Sequence, residues 1–301
     1  MDLDVIGRLE RLGQRRRWRW LGFAVAVHRR FGELYGGQMA SAVTITAFLT
    51  LFPLVLVAIA VVGFVATGSD DLAERIVDNL GLTGQAAETV TDAVGTAEES
   101  RRVASVLGIL GLLWTGLGLA GAVAYAYNNV WQVQSRGLAD KLVGLLWLIG
   151  VGLLLAASFV GTTAIEWLGG WGALLVLGGV AMNAGLFLWT SWILPSRRVS
   201  VRALLPAAVI GGVMLEVLKV IGTLVVPRLV ANSSALYGTL GVIFAILVWL
   251  LFFGRLVVYV AVIEVVGWEH SHGTTRAEIE LPSLPGVTMA HATRAGDRAP
   301  P

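Results

Sequence analysis

Four ionisable residues stand within or at the end of long apolar runs: Glu216, Lys219, Arg255 and Glu264. A charge in such a run costs on the order of 2.5–3.5 kcal/mol at a helix centre, so it normally faces protein or water and has a partner. Glu216 and Lys219 are three positions apart and share a helix face, which lets them pair along their own helix. Arg255 interrupts the stretch from Tyr237 to Glu264. Counted from the basic ends of their helices, Glu216 lies about thirteen residues deep and Arg255 about ten, so their depths differ by only about 5 Å. The ten residues Pro227 to Leu236 between the two runs imply neighbouring helices, and the expected partner of Arg255 is therefore Glu216. Glu264 is about half a turn out of phase with Arg255 and close to the headgroups, a poorer partner.

Two cations against one carboxylate would leave a net positive cavity at mid-membrane depth. It would suit an anionic or zwitterionic small molecule or lipid, or relay protons as the substrate crosses. Asn232, Ser233, Ser234 and Tyr237 would form its outer mouth, with Glu264 near the other end. The competing expectation is that Glu216, Lys219 and Arg255 neutralise one another and only fix helix register.

No catalytic constellation accompanies these residues. Hydrolysis by a metal or by acid–base chemistry needs carboxylates or histidines clustered near water. His28, His270, His272 and His291 all fall outside the apolar runs, and no Ser/His/Asp set or phosphate loop follows a strand-like segment. The expectation is no enzyme, no cofactor and no metal. Arg15, Arg16 and Arg17 are read as juxtamembrane charge, not as a nucleic-acid contact.

The elements that must position the four charges follow from composition. The chain has 301 residues, 56% of them hydrophobic and 14% charged, with a mean hydropathy of +0.77, which places it among polytopic membrane proteins. It has no cysteine, so disulfides and thiolate metal sites are excluded. Residues 1–38 carry eight arginines and read as basic amphipathic helix on the membrane surface. Six runs are long enough to span a bilayer, over about 39–66, 103–128, 142–165, 172–194, 203–226 and 238–264. Pro53 sits inside the first as a candidate hinge, with Thr50 placed to offer its hydroxyl to a freed carbonyl. Residues 67–102 hold eight acids and read as two short amphipathic helices outside the membrane, and 267–301 as a disordered tail. Gly116 with Ala120, and Gly118 with Ala122, have the spacing that lets membrane helices approach closely. Trp131, Trp189, Trp192 and Trp268 fall near helix ends and are read as interface anchors. Lysine and arginine gather in the segments before the first span, after the second, fourth and sixth, so both termini are expected to be cytoplasmic.

The fragments ASAVTITAFLTLFPLVLV (Ala40 to Val57), AYNNVW (Ala126 to Trp131), LPSRRVSVRALLPAAVIGGVMLEVLK (Leu194 to Lys219), ANSSALYGTLGVIFAILVW (Ala231 to Trp249) and the terminal Glu264 carry a resemblance. Together they resemble the YihY/virulence factor BrkB family, bacterial inner-membrane proteins once misnamed ribonuclease BN. The likeness runs from about Phe31 to Trp268, with Ile45 and Thr46 standing where the family often has aromatics. It implies a six-helix protein of the bacterial plasma membrane and supplies no substrate and no functional residues. The sequence therefore yields an all-α, six-span membrane protein with short amphipathic surface helices. Its leading function is a transporter or flippase-like carrier of a small solute or envelope lipid, without ATP hydrolysis of its own. The alternative is a non-transporting scaffold for envelope assembly. The small-residue faces fit a homo-oligomer as well as intramolecular packing.

Overall fold

The computed structural model describes residues 19–67, 73–74, 77, 83–167 and 172–272, without the side chains of 19, 85–86, 155, 158–167, 172–175, 229–237 and 239. Among the described residues the chain forms helices α1 (Arg19–Glu33), α2 (Gly36–Thr67), α3 (Gln85–Val130), α4 (Ala139–Trp167), α5 (Gly172–Ile193), α6 (Val201–Tyr237) and α7 (Thr239–His272). Helices α2, α3, α5, α6 and α7 are each long and apolar enough to cross a membrane. Helix α4, 29 residues long and apolar between Lys141 and Glu166, completes a set of six consistent with the expected spans.

Large apolar side chains such as Phe52, Phe64, Leu110, Trp114, Leu153 and Phe252 point outward along these helices. So much exposed apolar surface is unfavourable in water and suits lipid. Helix α7 is the central element: 39% of its most apolar stretch is buried inside the protein, against 22% for the other four.

Close crossings hold the bundle together. A Cβ added to Gly63 of α2 would lie 2.1 Å from the carbonyl oxygen of Ala97 on α3. On the same pair of helices, Gly111 makes room for Pro53. Gly254 of α7 sits against the backbone of Ala40 and the hydroxyl of Thr44 on α2, and Thr44 also donates to the carbonyl of Leu250 at 3.2 Å. Gly116 packs on Leu148, and Ala120 on Gly144, which joins α3 to α4 as small residues in membrane helices do. Gly118 meets nothing within 4 Å.

Several boundaries differ from the sequence expectation. Helix α3 begins at Gln85 and runs unbroken into the second span, 46 residues and about 69 Å long, so the acidic segment from Glu88 to Glu99 is its extension past the bilayer and not a separate element. Helix α6 continues through Pro227 to Tyr237 and turns at Gly238, whose φ of 58° favours glycine, so the expected outer loop is helical. Helix α7 runs on to His272, which makes Gly267 to His272 helical instead of tail. Helix α1 does not lie free on the membrane. Phe31 stacks on Tyr259 at 4.1 Å, His28 Nδ1 is 3.1 Å from the Tyr259 hydroxyl, and Arg30 pairs with Glu269 at 3.5 Å, docking α1 on α7. Residues 1–18, including Arg15 to Arg17, most of the segment 68–82, and 273–301 with His291 lie outside the described residues.

Candidate functional site

The expected trio is only partly assembled. Lys219 Nζ donates to Glu216 Oε1 at 2.7 Å, and Asn183 Nδ2 of α5 donates to the same oxygen at 2.9 Å. Gly179 leaves the space the carboxylate occupies, since a Cβ there would lie 2.2 Å from Glu216 Oε1. Arg255 is exposed and makes no ion pair with Glu216 among the described residues. Helices α6 and α7 are neighbours as expected, but helix phase separates the two side chains. Trp249 and Val260 meet α6 at Gly222 and Gly211, and at about 100° per residue Arg255 lies about 120° or more off that face. Of five cavities traced around the described residues, none is lined by Glu216, Lys219 or Arg255.

Glu264, the weakest candidate in the sequence, has the most constrained environment. It is 2% exposed and sits where α7 meets Tyr127 of α3 and Ser191 of α5, both also buried. The Ser191 hydroxyl contacts Glu264 Oε1, the carbonyl of Phe187 at 2.7 Å and the Tyr127 hydroxyl at 3.4 Å. Glu264 Oε2 has no hydrogen-bond partner, and no lysine or arginine pairs with the carboxyl among the described residues. Ser191 has one proton and faces two acceptors, so a proton on the carboxyl completes the chain from Glu264 through Ser191 to Phe187. The arrangement can therefore hold a proton on the carboxyl, and its second oxygen is buried without a hydrogen-bond partner and borders none of the five cavities.

About one turn toward the nearest end of the bundle, Arg197 lies between two indoles, 4.6 Å from the centre of the Trp268 ring and 5.5 Å from that of Trp131. Trp131, 1% exposed and set edge-on to Trp268, is thus not the lipid-facing anchor expected of it. Trp192, 53% exposed, does suit an interface. The connection after α5 is pinned beneath α3, with Ser196 N donating to Asn128 Oδ1 at 2.7 Å and the Arg136 guanidinium donating to the carbonyl of Pro195. Deeper in the bundle, an apolar cavity of about 140 Å³ lies between α3, α4, α5 and α7, bordered by Phe187, Phe253 and Val257. At its wall Trp147 Nε1 donates to Thr190 Oγ1 at 3.0 Å.

The remaining candidates fall apart from this cluster. Pro53 is buried in an uninterrupted helix, and Thr50 donates to the carbonyl of Thr46 at 2.7 Å, not to the one Pro53 leaves free. Asn232, Ser233, Ser234 and Tyr237 belong to the last turns of α6, and their side chains lie outside the described residues. Tyr127 and Ser191 were not singled out from sequence, because nothing in it brings α3 and α5 together at one point. The usable signal was the phase of Glu264, which shares its face with Val257, Val260 and Ala261, all buried.

The virulence factor BrkB family matches residues 27–282. An uncharacterized protein of Dickeya dadantii (strain 3937) is 28% identical over 77% of this chain and 79% of its own length. The inner membrane protein YhjD of Escherichia coli (strain K12) is 26% identical over 77% of each chain. A UPF0761 membrane protein of Chromohalobacter salexigens is 26% identical over 77% of this chain and 60% of its own. No solved structure gives a significant match.

Proposed function

This chain belongs to the virulence factor BrkB family of membrane proteins, and from that premise we propose that it is a carrier, moving a small solute or envelope lipid across the bacterial inner membrane. The observation that carries this reading is Glu264, a carboxyl buried against Ser191 and Tyr127 with one oxygen unpartnered and, among the described residues, no cation paired with it. A group so costly inside a membrane bundle points to a functional site, since a purely structural helix crossing is served by the small residues seen elsewhere. The apolar cavity bordered by Thr190, the residue next to Ser191, lies close by but is not lined by Glu264, Ser191 or Tyr127. Glu264 serves as the proton-binding or donor-binding group, Ser191 and Tyr127 orient it, and Arg197 sets a positive charge at the nearest mouth. Both termini face the cytoplasm in this reading, because the basic connections and α1 share one end of the bundle.

A scaffold is the second reading, favoured by the closed pairing of Glu216 with Lys219 and by the length of α3 beyond the bilayer. The two differ in whether the buried cluster ever meets water. The chain has no cysteine, so Thr190→Cys gives a single thiol at a position 5% exposed. A carrier in native vesicles labels there with a water-soluble maleimide from one side of the membrane. A thiol that stays unreactive from both sides until the protein is denatured favours the scaffold.

A further inference from the structure

A second site lies outside the bundle core, where the end of α5 and the connection after it meet the connection between α3 and α4. A cavity of about 570 Å³ is lined by Arg136, Trp192, Ser196 and Arg198, and no carboxylate lines it. Arg198 is exposed and in no ion pair among the described residues. Arg136 commits one nitrogen to the carbonyl of Pro195, which fixes its fork and leaves its other donors available. Between them the Ser196 hydroxyl is buried and has no hydrogen-bond partner. Two guanidinium groups and an unspent hydroxyl form a receptor for a phosphate or similar oxyanion.

Trp192 also borders an apolar groove of about 450 Å³ that runs toward the bundle middle along Leu153, Leu154, Gly185 and Leu188. Its floor is built by Trp189, which lies across α4 where Gly150 has no side chain and donates from Nε1 to the carbonyl of Trp147 at 3.3 Å. A cationic cavity at the basic end and an apolar groove on the lipid-facing surface thus share Trp192 as a common wall.

We propose that these two adjoining cavities together bind one anionic phospholipid, with its phosphate held by Arg136, Ser196 and Arg198 and one acyl chain passing Trp192 to lie along the α4/α5 groove. The charge of the upper chamber selects the headgroup, and the apolar lower part excludes a free phosphate as the full ligand. This site does not depend on whether the protein transports anything, and none of its residues belongs to the Glu264 cluster.

Native mass spectrometry of the full-length protein in detergent tests it, using phosphatidylglycerol and phosphatidylcholine as probes. The wild type retains phosphatidylglycerol in preference to phosphatidylcholine. Arg198→Gln lowers phosphatidylglycerol affinity about fivefold, the usual effect of one basic residue at a membrane surface, and Arg136→Gln does so again. Gly185→Leu fills the groove, since the nearest atom to its new Cβ is Leu154 Cδ2 at 3.9 Å, and it weakens both lipids alike. Should Gly185→Leu fail to fold, the exposed Arg198→Gln still decides. Equal retention of the two lipids by the wild type overturns the proposal, as does unchanged retention by Arg198→Gln. Displacement of phosphatidylglycerol by equimolar glycerol 3-phosphate overturns it as well, because the site would then read the headgroup alone.

Discussion

Ser191→Ala is expected to destabilise the protein more than Glu264→Gln, although it changes fewer atoms. Ser191 is the only hydrogen-bond partner of the buried Glu264 carboxyl and the only side-chain partner of the Tyr127 hydroxyl among the described contacts. Interhelical hydrogen bonds in membranes average about 0.6 kcal/mol, but a stranded buried polar group costs about 1–3 kcal/mol. The second figure governs here, because alanine leaves both groups behind with nothing to bond. Glu264→Gln keeps the volume and, through its amide N–H, a donor toward Ser191, so its cost stays below about 1 kcal/mol. The double change Ser191→Ala with Glu264→Leu removes the stranded carboxyl, and it should cost less than Ser191→Ala alone. Reversible unfolding in mixed micelles measures all of these. Strictly additive single effects, or a neutral Ser191→Ala beside a Glu264→Gln worth more than about 3 kcal/mol, would refute the reasoning.

Gly63→Val drives a side chain into the carbonyl of Ala97 and should cost about 3 kcal/mol or prevent assembly, whereas Gly118→Ala, with open space around it, should stabilise α3 by about 0.5–1 kcal/mol in the same unfolding assay. Arg197→Gln removes the cation between Trp131 and Trp268, so a loss of about 1–2 kcal/mol and a change in tryptophan fluorescence are expected; unaltered fluorescence would contradict the stacking. Arg255→Gln should shift stability by less than about 0.5 kcal/mol, because Glu216 already has Lys219 and Asn183. A loss above about 2 kcal/mol would instead reveal a pairing between Arg255 and Glu216.

The all-helical bundle was legible because spans announce themselves through length and apolarity, and α7 stood out for carrying Arg255 in such a run. What periodicity could not supply was rotation. The Glu216 and Arg255 depths matched and their helices touch, yet α7 turns Trp249 and Val260 toward α6 and leaves Arg255 outside. The same rotation carries Glu264, half a turn away, into the core, reversing the expected ranking of the two residues. Asn183, a neutral residue on a different helix, could not be matched to Glu216 from spacing alone. The helical continuity of α3 through its acidic start was hidden because polar and apolar halves of one long helix read as separate elements. Trp131 looked like an interface anchor by position, and only the fold brings Arg197 to its face.

The central claim is that Glu264 works and is not merely tolerated. Its most direct test is lipid and metabolite profiling of cells lacking the gene, against cells carrying wild type or Glu264→Gln at equal membrane levels. The carrier account predicts that Glu264→Gln, folded and inserted, leaves the profile of the deletion unchanged. Full restoration of the wild-type profile by Glu264→Gln would contradict it.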